Sequence, residues 1–567
     1  MRLKLAAEKR KLGNILVSAN KITEHQLQDA LRTQKVIGKK IGEILVENNI
    51  VTEDQIIEAI EEQTGIKKID LNNIDFDKKA ISLIPQNLCN KYTLIPFGFE
   101  SNKIKVALVD PLNIFAIDDV TIATGFDIKS YIAKKVDIKK FIEVYYTSQQ
   151  VANAAKQLSK ESSENKAIKI NIEDMDDVKN APVVKMVEYL FKNSIEMKAS
   201  DIHIEPFENE IRIRYRIDGR LQTVNTLGID SQGALITRIK ILAGLNIAEK
   251  RIPQDGRIML NFGENQHVDL RISILPVVKG EKVVIRILNT GNNDISKKNL
   301  GMTKENLKKL DRIIANPHGI ILVTGPTGSG KSTSLYAVLS ELNTTTVNIV
   351  TVEDPVEYTL KGVNQVSVNT KAGLTFASGL RSILRQDPDI VMIGEIRDNE
   401  TAEISTKAAI TGHLVLSTLH TNDAPSSIIR LIDMGVKPYL VATSVVGIMA
   451  QRLVRRVCSK CNQEYEANEY EKEILGYDKE KSLMLHKGKG CGYCNGTGYL
   501  GRVGIYEIME ITREHRDAIN AGENADFLRD ISVKNGMTTL RDECKDLVLK
   551  GITTINELAT IALLKEV

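Results

Sequence analysis

The sequence predicts an α/β chain in which a nucleotide-binding strand–loop–helix domain follows two α+β regions. Three observations predict it. An apolar run, residues 319–324, meets a glycine-rich turn and then a helix-like run from Ser334. Upstream, residues 211–217 alternate apolar and charged side chains strictly, the period of a half-buried strand. Near the N-terminus one pattern occurs twice, with Lys11-Leu12-Gly13 echoed by Lys40-Ile41-Gly42 and Thr23-Glu24 by Thr52-Glu53.

Bulk composition sets limits. With 567 residues, 42% hydrophobic and 26% charged, the chain reads as a soluble globular protein of several domains. A net charge of +3 gives no global signal for nucleic acid, and 5% aromatics without tryptophan offer few stacking platforms. The sequence contains no apolar run long enough to span a bilayer and no signal-peptide core at its start. A cytoplasmic protein that reaches the membrane through partners is expected. Six cysteines are too few for a disulfide framework in a chain of this length.

Taken in order, each repeat copy predicts a short helix, a turn, an N-cap threonine (Thr23 or Thr52) and a second helix. Residues 70–145 mix strand-like runs, such as Ile104–Val109, with helix-like ones, so 1–146 form one α+β region. Residues 147–180 are polar and of mixed charge, with an acidic run at 173–177, and predict a flexible linker. Residues 181–288 open on an amphipathic helix and turn strand-rich; Arg212, Arg214 and Arg216 share one strand face there. That face is a solvated sheet surface or, less commonly, an anion-binding one. A second polar linker, 289–299, leads to a motor region over 300–567.

The turn Gly325, Pro326, Thr327, Gly328, Ser329, Gly330, Lys331, Ser332, Thr333 is a complete phosphate-binding loop between a strand and a helix. Its N–H groups and the helix N-terminus attract an anion, Lys331 reaches the β- and γ-phosphates, and the Ser332 hydroxyl suits Mg²⁺. The chain therefore binds a nucleoside triphosphate. Two apolar runs that end in acids follow it. One carries Glu353, Asp354 and Glu357, and the other carries Glu395. An acid at such a strand end lies near Mg²⁺ and the γ-phosphate. Glu395 is the candidate for polarising the attacking water, with Glu357 the alternative base. His413 and His420 bracket the next apolar strand, either as γ-phosphate sensors or as structural histidines. Cys458 and Cys461, with Cys491 and Cys494, form two C-x-x-C pairs that suit a closed tetrahedral Zn²⁺ site in an insert over 458–494, with a redox pair as the alternative.

These motifs, together with Ala199–Pro206, Pro253–Arg257, Thr351–Tyr358, Leu384–Asp389 and Gly394–Asp398, resemble the GspE/PilB family of secretion ATPases in order along most of the chain. That family contains type IV pilus extension motors and type II secretion motors. The resemblance implies a homohexameric ring of subunits. Each subunit would have a RecA-like P-loop ATPase domain preceded by a PAS-like α+β middle domain. It implies ATP as substrate with Mg²⁺, with Glu353 and Asp354 in the family's Asp box. It also implies Arg271 and Arg286 reaching the nucleotide from the middle domain, and Arg381 and Arg385 supporting the site. Implied partners are a PilC-like inner-membrane platform protein, a PilM-like cytoplasmic adaptor and, indirectly, pilin.

The N-terminal repeat resembles the MshEN module, which binds cyclic di-GMP. The resemblance implies Lys11, Leu12, Gly13, Leu16 and Gln34 in one copy and Lys40, Ile41, Gly42, Leu45 and Gln63 in the other as the ligand set, with Leu16 and Leu45 flanking the bases. Lys11 and Lys40 stand where arginine is usual, and Asn20 and Asn49 where glycine is usual. Lysine keeps the charge and loses the planar guanidinium fork.

Overall fold

The computed structural model describes residues 11–142, 145–146, 182–262, 266–289 and 296–563. The linker expected over 147–180 lies outside them, as do residues 290–295 of the second linker.

Each N-terminal copy folds as two helices, Leu12–Ser18 with Glu24–Ile37 and Ile41–Glu47 with Glu53–Thr64. Thr23 and Thr52 cap the second helix of each copy in a reciprocal box with Gln26 and Gln55. Asn20 and Asn49 both have φ 55°. Asparagine tolerates this left-handed conformation, so the turn survives without the glycine usual there. A small sheet follows, with β1 (Leu94–Glu100), β2 (Lys103–Leu108) and β3 (Asp127–Ile132) in the order β1-β2-β3. Its core holds Cys89, whose thiol is pushed up to about 12 by burial.

The middle region is a six-stranded sheet of β4 (Asp201–Pro206), β5 (Glu210–Ile217), β6 (Arg220–Gly228), β7 (Gln254–Phe262), β8 (Gln266–Val277) and β9 (Gly280–Asn289). Its order is β6-β5-β4-β9-β8-β7, with antiparallel pairs throughout. One face packs on the helices Pro182–Glu196 and Gln232–Leu242. On β5 the alternation holds, with Ile211, Ile213 and Tyr215 buried. The intervening arginines pair with acids: Arg212 with Glu210, Arg214 with Glu205, and Arg216 with Asp201. Glu205 and Asp201 are themselves buried, so this face is a half-covered sheet surface whose charges are matched within the sheet.

The third sheet positions the site. Its strands are β10 (Gly319–Thr324), β11 (Ile349–Glu353), β12 (Asn364–Ser367), β13 (Ile390–Ile393), β14 (Leu414–Leu419), β15 (Val445–Val457) and β18 (Tyr499–Glu510). The order is β12-β11-β13-β14-β10-β15-β18, parallel except for β18. β10, β11, β13 and β14 are buried along their whole length, as expected for a parallel sheet covered on both faces. Parallel strands deliver their C-terminal loops to one edge, the place where such sheets bind ligands. The P-loop, Glu353–Glu357, Glu395 and His420 all leave from that edge. Between β15 and β18 an insert carries a two-stranded ribbon, β16 (Asn462–Glu466) and β17 (Met484–Gly488), and the four cysteines.

Candidate functional site

The P-loop is shaped from below. Gly325 has φ 150° and Gly330 has φ 89°. A Cβ on Gly325 would lie 2.5 Å from the Gln451 carbonyl oxygen, and one on Gly330 would lie 2.8 Å from Gln451 Nε2. Only glycine satisfies both the conformation and the contact. The helix Lys331–Leu342 starts directly after Gly330, so its positive end faces the loop. Pro326, Thr327 and Gly328 are exposed, as are Ser332 and Thr333, whose hydroxyls are open to a ligand. Ser329 is buried and its Oγ has no hydrogen-bond partner. Lys331 Nζ donates to Gly325 O at 2.8 Å and Pro326 O at 3.3 Å. Burial pulls its pKa down, while the Glu395 carboxylate opposes that shift.

Glu395 stands just past the end of β13. Thr418 Oγ1 donates to Gly394 O at 2.8 Å, which fixes the turn. The Glu395 side chain is 13% exposed and takes Arg397 on one oxygen and His420 Nε2 on the other, the latter at 3.2 Å. Burial pushes its pKa up, but the Arg397 hydrogen bond and the Arg397 and His420 charges outweigh burial, so the carboxyl sits below its ordinary value. It is an ionised carboxylate held in place on both sides.

The Asp-box acids divide. Glu353 is buried and accepts from Tyr336 Oη on one oxygen and from Thr351 Oγ1 and Gln365 Nε2, at 2.6 and 3.1 Å, on the other. The expectation that Glu353 faces Mg²⁺ is corrected here, because its oxygens already serve buried protein donors. Asp354 is exposed, and its charge acts on Arg397 beside Glu395. Glu357 is half-buried, with Oε2 lacking a hydrogen-bond partner. Burial pushes its pKa up, and Arg271 and Arg286 pull it back. Those two arginines face each other across β8 and β9 of the middle sheet. The structure therefore brings a cationic pair from the middle region to the edge of the motor sheet.

Other expected residues stay apart. His413 sits at the start of β14, where its Nδ1 meets Ala408 O at 2.9 Å and its carbonyl accepts from Gly319 N. A six-residue strand puts it about 20 Å from the P-loop edge, which corrects its place beside the γ-phosphate. Arg381 pairs with Glu400, and Arg385 donates to Arg381 O and Ser382 Oγ at 2.8 and 3.2 Å, so both are engaged on their own helix and its neighbour.

Two residues were missed. Gln451 Oε1 accepts from Ser334 Oγ at 2.7 Å, which ties the P-loop helix to β15. Arg452 is buried beside it, donates to Gln451 O and Asn422 O at 3.0 and 2.8 Å, and has an unpartnered Nε. The signal was present: an adjacent polar pair that interrupts the apolar run 445–454.

The four cysteines converge. Their Sγ atoms all lie within 4.8 Å of one another, with Cys458–Cys491 at 3.9 Å and Cys461–Cys494 and Cys491–Cys494 at 3.8 Å. A tetrahedron with Zn–S bonds of about 2.3 Å has edges of about 3.8 Å. The N–H groups of Cys491 and Gly498 point at Cys494 Sγ, both at 3.2 Å, as a thiolate requires. The donor set fits Zn²⁺.

In the N-terminal repeat, Leu16 and Leu45 are 1% and 0% exposed and belong to the core between the copies. The expectation that they flank bases is corrected: they hold the repeat together. Gly13 and Gly42 are also buried, packed on Leu27 and Ile56, and Leu12 and Ile41 are half-buried. Lys11 is exposed, Lys40 pairs with Asp110, and Gln34 Nε2 donates to Lys39 O at 3.1 Å. Gln63 is half-buried at the end of Glu53–Thr64.

A phosphate loop on a parallel sheet, an ionised acid at the next strand end but one, and arginines delivered from a preceding sheet define a P-loop ATPase. The chain belongs to the type II/IV secretion system protein family, whose sequence model matches residues 176–560. The MshEN domain model matches residues 63–152, which begin where the two-copy repeat ends. The type IV pilus assembly ATPase PilB of Myxococcus xanthus is 40% identical over 96% of this chain and 98% of its own length. The type II secretion system protein E of Dickeya dadantii is 48% identical over 68% of this chain and 77% of its own. In structure, the chain is similar to the ATPase DotB of Yersinia pseudotuberculosis, with TM-score 0.50, 22% identity, and coverage of 67% of this chain and 93% of that one. That last similarity concerns the fold alone. Among the described residues no helix is long and apolar enough to cross a membrane.

Proposed function

We propose that this chain is the motor of type IV pilus assembly, a homohexameric ring that hydrolyses ATP to drive pilin polymerisation. The observation that carries this reading is the match to a pilus assembly ATPase along nearly the full length of both chains, N-terminal region included. The type II secretion reading stands second, on its higher identity over a shorter span.

In the proposed reaction Lys331 and the loop N–H groups hold the β- and γ-phosphates. Glu395 orients the attacking water and accepts its proton. Ser332 and Asp354 would hold Mg²⁺, which neutralises phosphate charge. Arg271 and Arg286 close on the γ-phosphate from the middle region, and loss of that phosphate releases the closure. Work would pass to an inner-membrane platform protein with a cytoplasmic adaptor, so the ring would act at the inner face of the cytoplasmic membrane. Disruption of the gene tests this: surface pili should vanish while secretion of folded exoproteins continues. The opposite pattern moves the chain to type II secretion.

The N-terminal repeat is proposed to bind cyclic di-GMP through Lys11 and Lys40, more weakly than an arginine-bearing repeat would. Binding requires Lys40 to leave Asp110, so Asp110→Ala should tighten it. Calorimetry on the full chain decides: heat with cyclic di-GMP that Lys11→Ala and Lys40→Ala abolish supports the site. No heat at high micromolar ligand leaves the repeat a structural module.

A further inference from the structure

The N-terminal region meets the motor at the tetracysteine loop. Residues 135–142 are helical, and Asp137, Lys140 and Phe141 share a face by their three- and four-residue spacing. All three touch the loop between Cys491 and Cys494. Tyr493 Oη donates to Asp137 Oδ1. Lys140 Nζ lies 3.1 Å from the centroid of the Tyr493 ring and is buried without a hydrogen-bond acceptor. Gly492 lies flat on Phe141: a Cβ there would come within 2.5 Å of Phe141 Cε1. Phe141 itself belongs to the core of the N-terminal region, so the contact is anchored on both sides.

A buried ammonium with no acceptor is costly unless a counter-charge stands near it. Here the negative groups whose charge reaches Lys140 are Asp137 and the sulfurs of Cys491, Cys458 and Cys494. Asp137 is already engaged by Tyr493. Four thiolates around one Zn²⁺ leave a net charge of about −2 on the centre, whereas four thiols without metal carry none. The ring of Tyr493, itself part of the cysteine loop, adds a cation–π contact to the ammonium.

We propose that the tetracysteine loop is the docking surface for the 135–142 helix, and that the metal-loaded loop is the form this helix recognises. Lys140 is a positioning residue that balances the charge of the loaded centre. Zinc occupancy is thereby read out as the placement of the N-terminal region on the motor. This inference stands apart from the proposed pilus role and from cyclic di-GMP binding.

The test uses the full chain, with zinc content measured by emission spectroscopy and amide hydrogen exchange followed at residues 135–142 and, as an internal control, at Lys331–Leu342. Purified wild type should carry one zinc per chain. Stripping with a chelator under reducing conditions should raise exchange at 135–142. Lys140→Met should weaken zinc affinity about tenfold, the usual scale for a group next to the ligands. Gly492→Val should keep its zinc and still raise exchange at 135–142, because the docking face is blocked. If stripping also loosens Lys331–Leu342, the Lys140→Met and Gly492→Val proteins decide the matter at saturating zinc. Protection of 135–142 that is the same in loaded and stripped protein, or unchanged in both variants, overturns the proposal. A wild type that binds no zinc overturns it as well.

Discussion

Replacement of Glu395 by Gln is expected to leave ATP binding intact and to slow hydrolysis by about two orders of magnitude, roughly 2.7 kcal/mol of barrier. The amide keeps the shape of the side chain and its place past β13. It cannot take a proton from water, and it gives up the charge that Arg397 and His420 hold in position. Because Arg397 and His420 hold the carboxyl below its ordinary value against burial, the wild-type group is ready as a base at neutral pH. Phosphate release and nucleotide binding, measured on the same preparation, check the result. Turnover equal to wild type would remove Glu395 from the chemistry and direct attention to Glu357, whose raised pKa and unpartnered oxygen make it the next group to change.

The second large effect is expected at the middle sheet. Alanine at Arg271 or at Arg286 should lower turnover roughly a hundredfold, the scale of losing one preorganised donor to a transferring phosphoryl group. The mechanism lies in the junction. Arg271 and Arg286 stand on neighbouring strands of the middle sheet, and their charge reaches Glu357 in the loop after β11 of the motor sheet, so they would join the nucleotide site only while the two sheets are close. Arg286 is also tied to the buried Asp201, at 3.3 Å, but Asp201 keeps Arg216 at 3.2 Å, so loss of the largely exposed Arg286 side chain leaves that carboxylate paired and takes little from the core. Thermal unfolding of the motor region should therefore stay at the wild-type temperature while activity falls. A parallel fall in both would make these residues structural.

Much of this was legible in the sequence, for physical reasons. The P-loop is a local device: its glycines, lysine and hydroxyls are consecutive, and the buried strand before it reads as an apolar run. The capping boxes at Thr23 and Thr52 are equally local, and the two C-x-x-C pairs announce a four-sulfur centre by spacing alone. What the sequence left open depended on direction and depth. A histidine at either end of β14 looks equivalent in one dimension, but a parallel strand sends its two ends to opposite edges of the sheet, so only His420 reaches Glu395. Glu353 and Asp354 are neighbours in sequence, yet Glu353 is the last residue of a fully buried strand, packed against Tyr336, and Asp354 is where the chain leaves the sheet for solvent. Leu16 and Leu45 sit in the motif that suggests a ligand, and their burial between the copies was invisible without the second copy packed on the first. Gln451 and Arg452 went unnoticed because their partners, Ser334 and Asn422, lie far away in sequence.

The central claim is that ATP hydrolysis comes from a ring in which middle-region arginines complete the site. Sizing of the purified full chain with a non-hydrolysable ATP analogue, alongside its hydrolysis rate as a function of protein concentration, tests it most directly. The account predicts a species of six subunits with the analogue and a specific activity that rises as the ring assembles. A protein that remains strictly monomeric at micromolar concentration and hydrolyses ATP at an undiminished specific rate would contradict it.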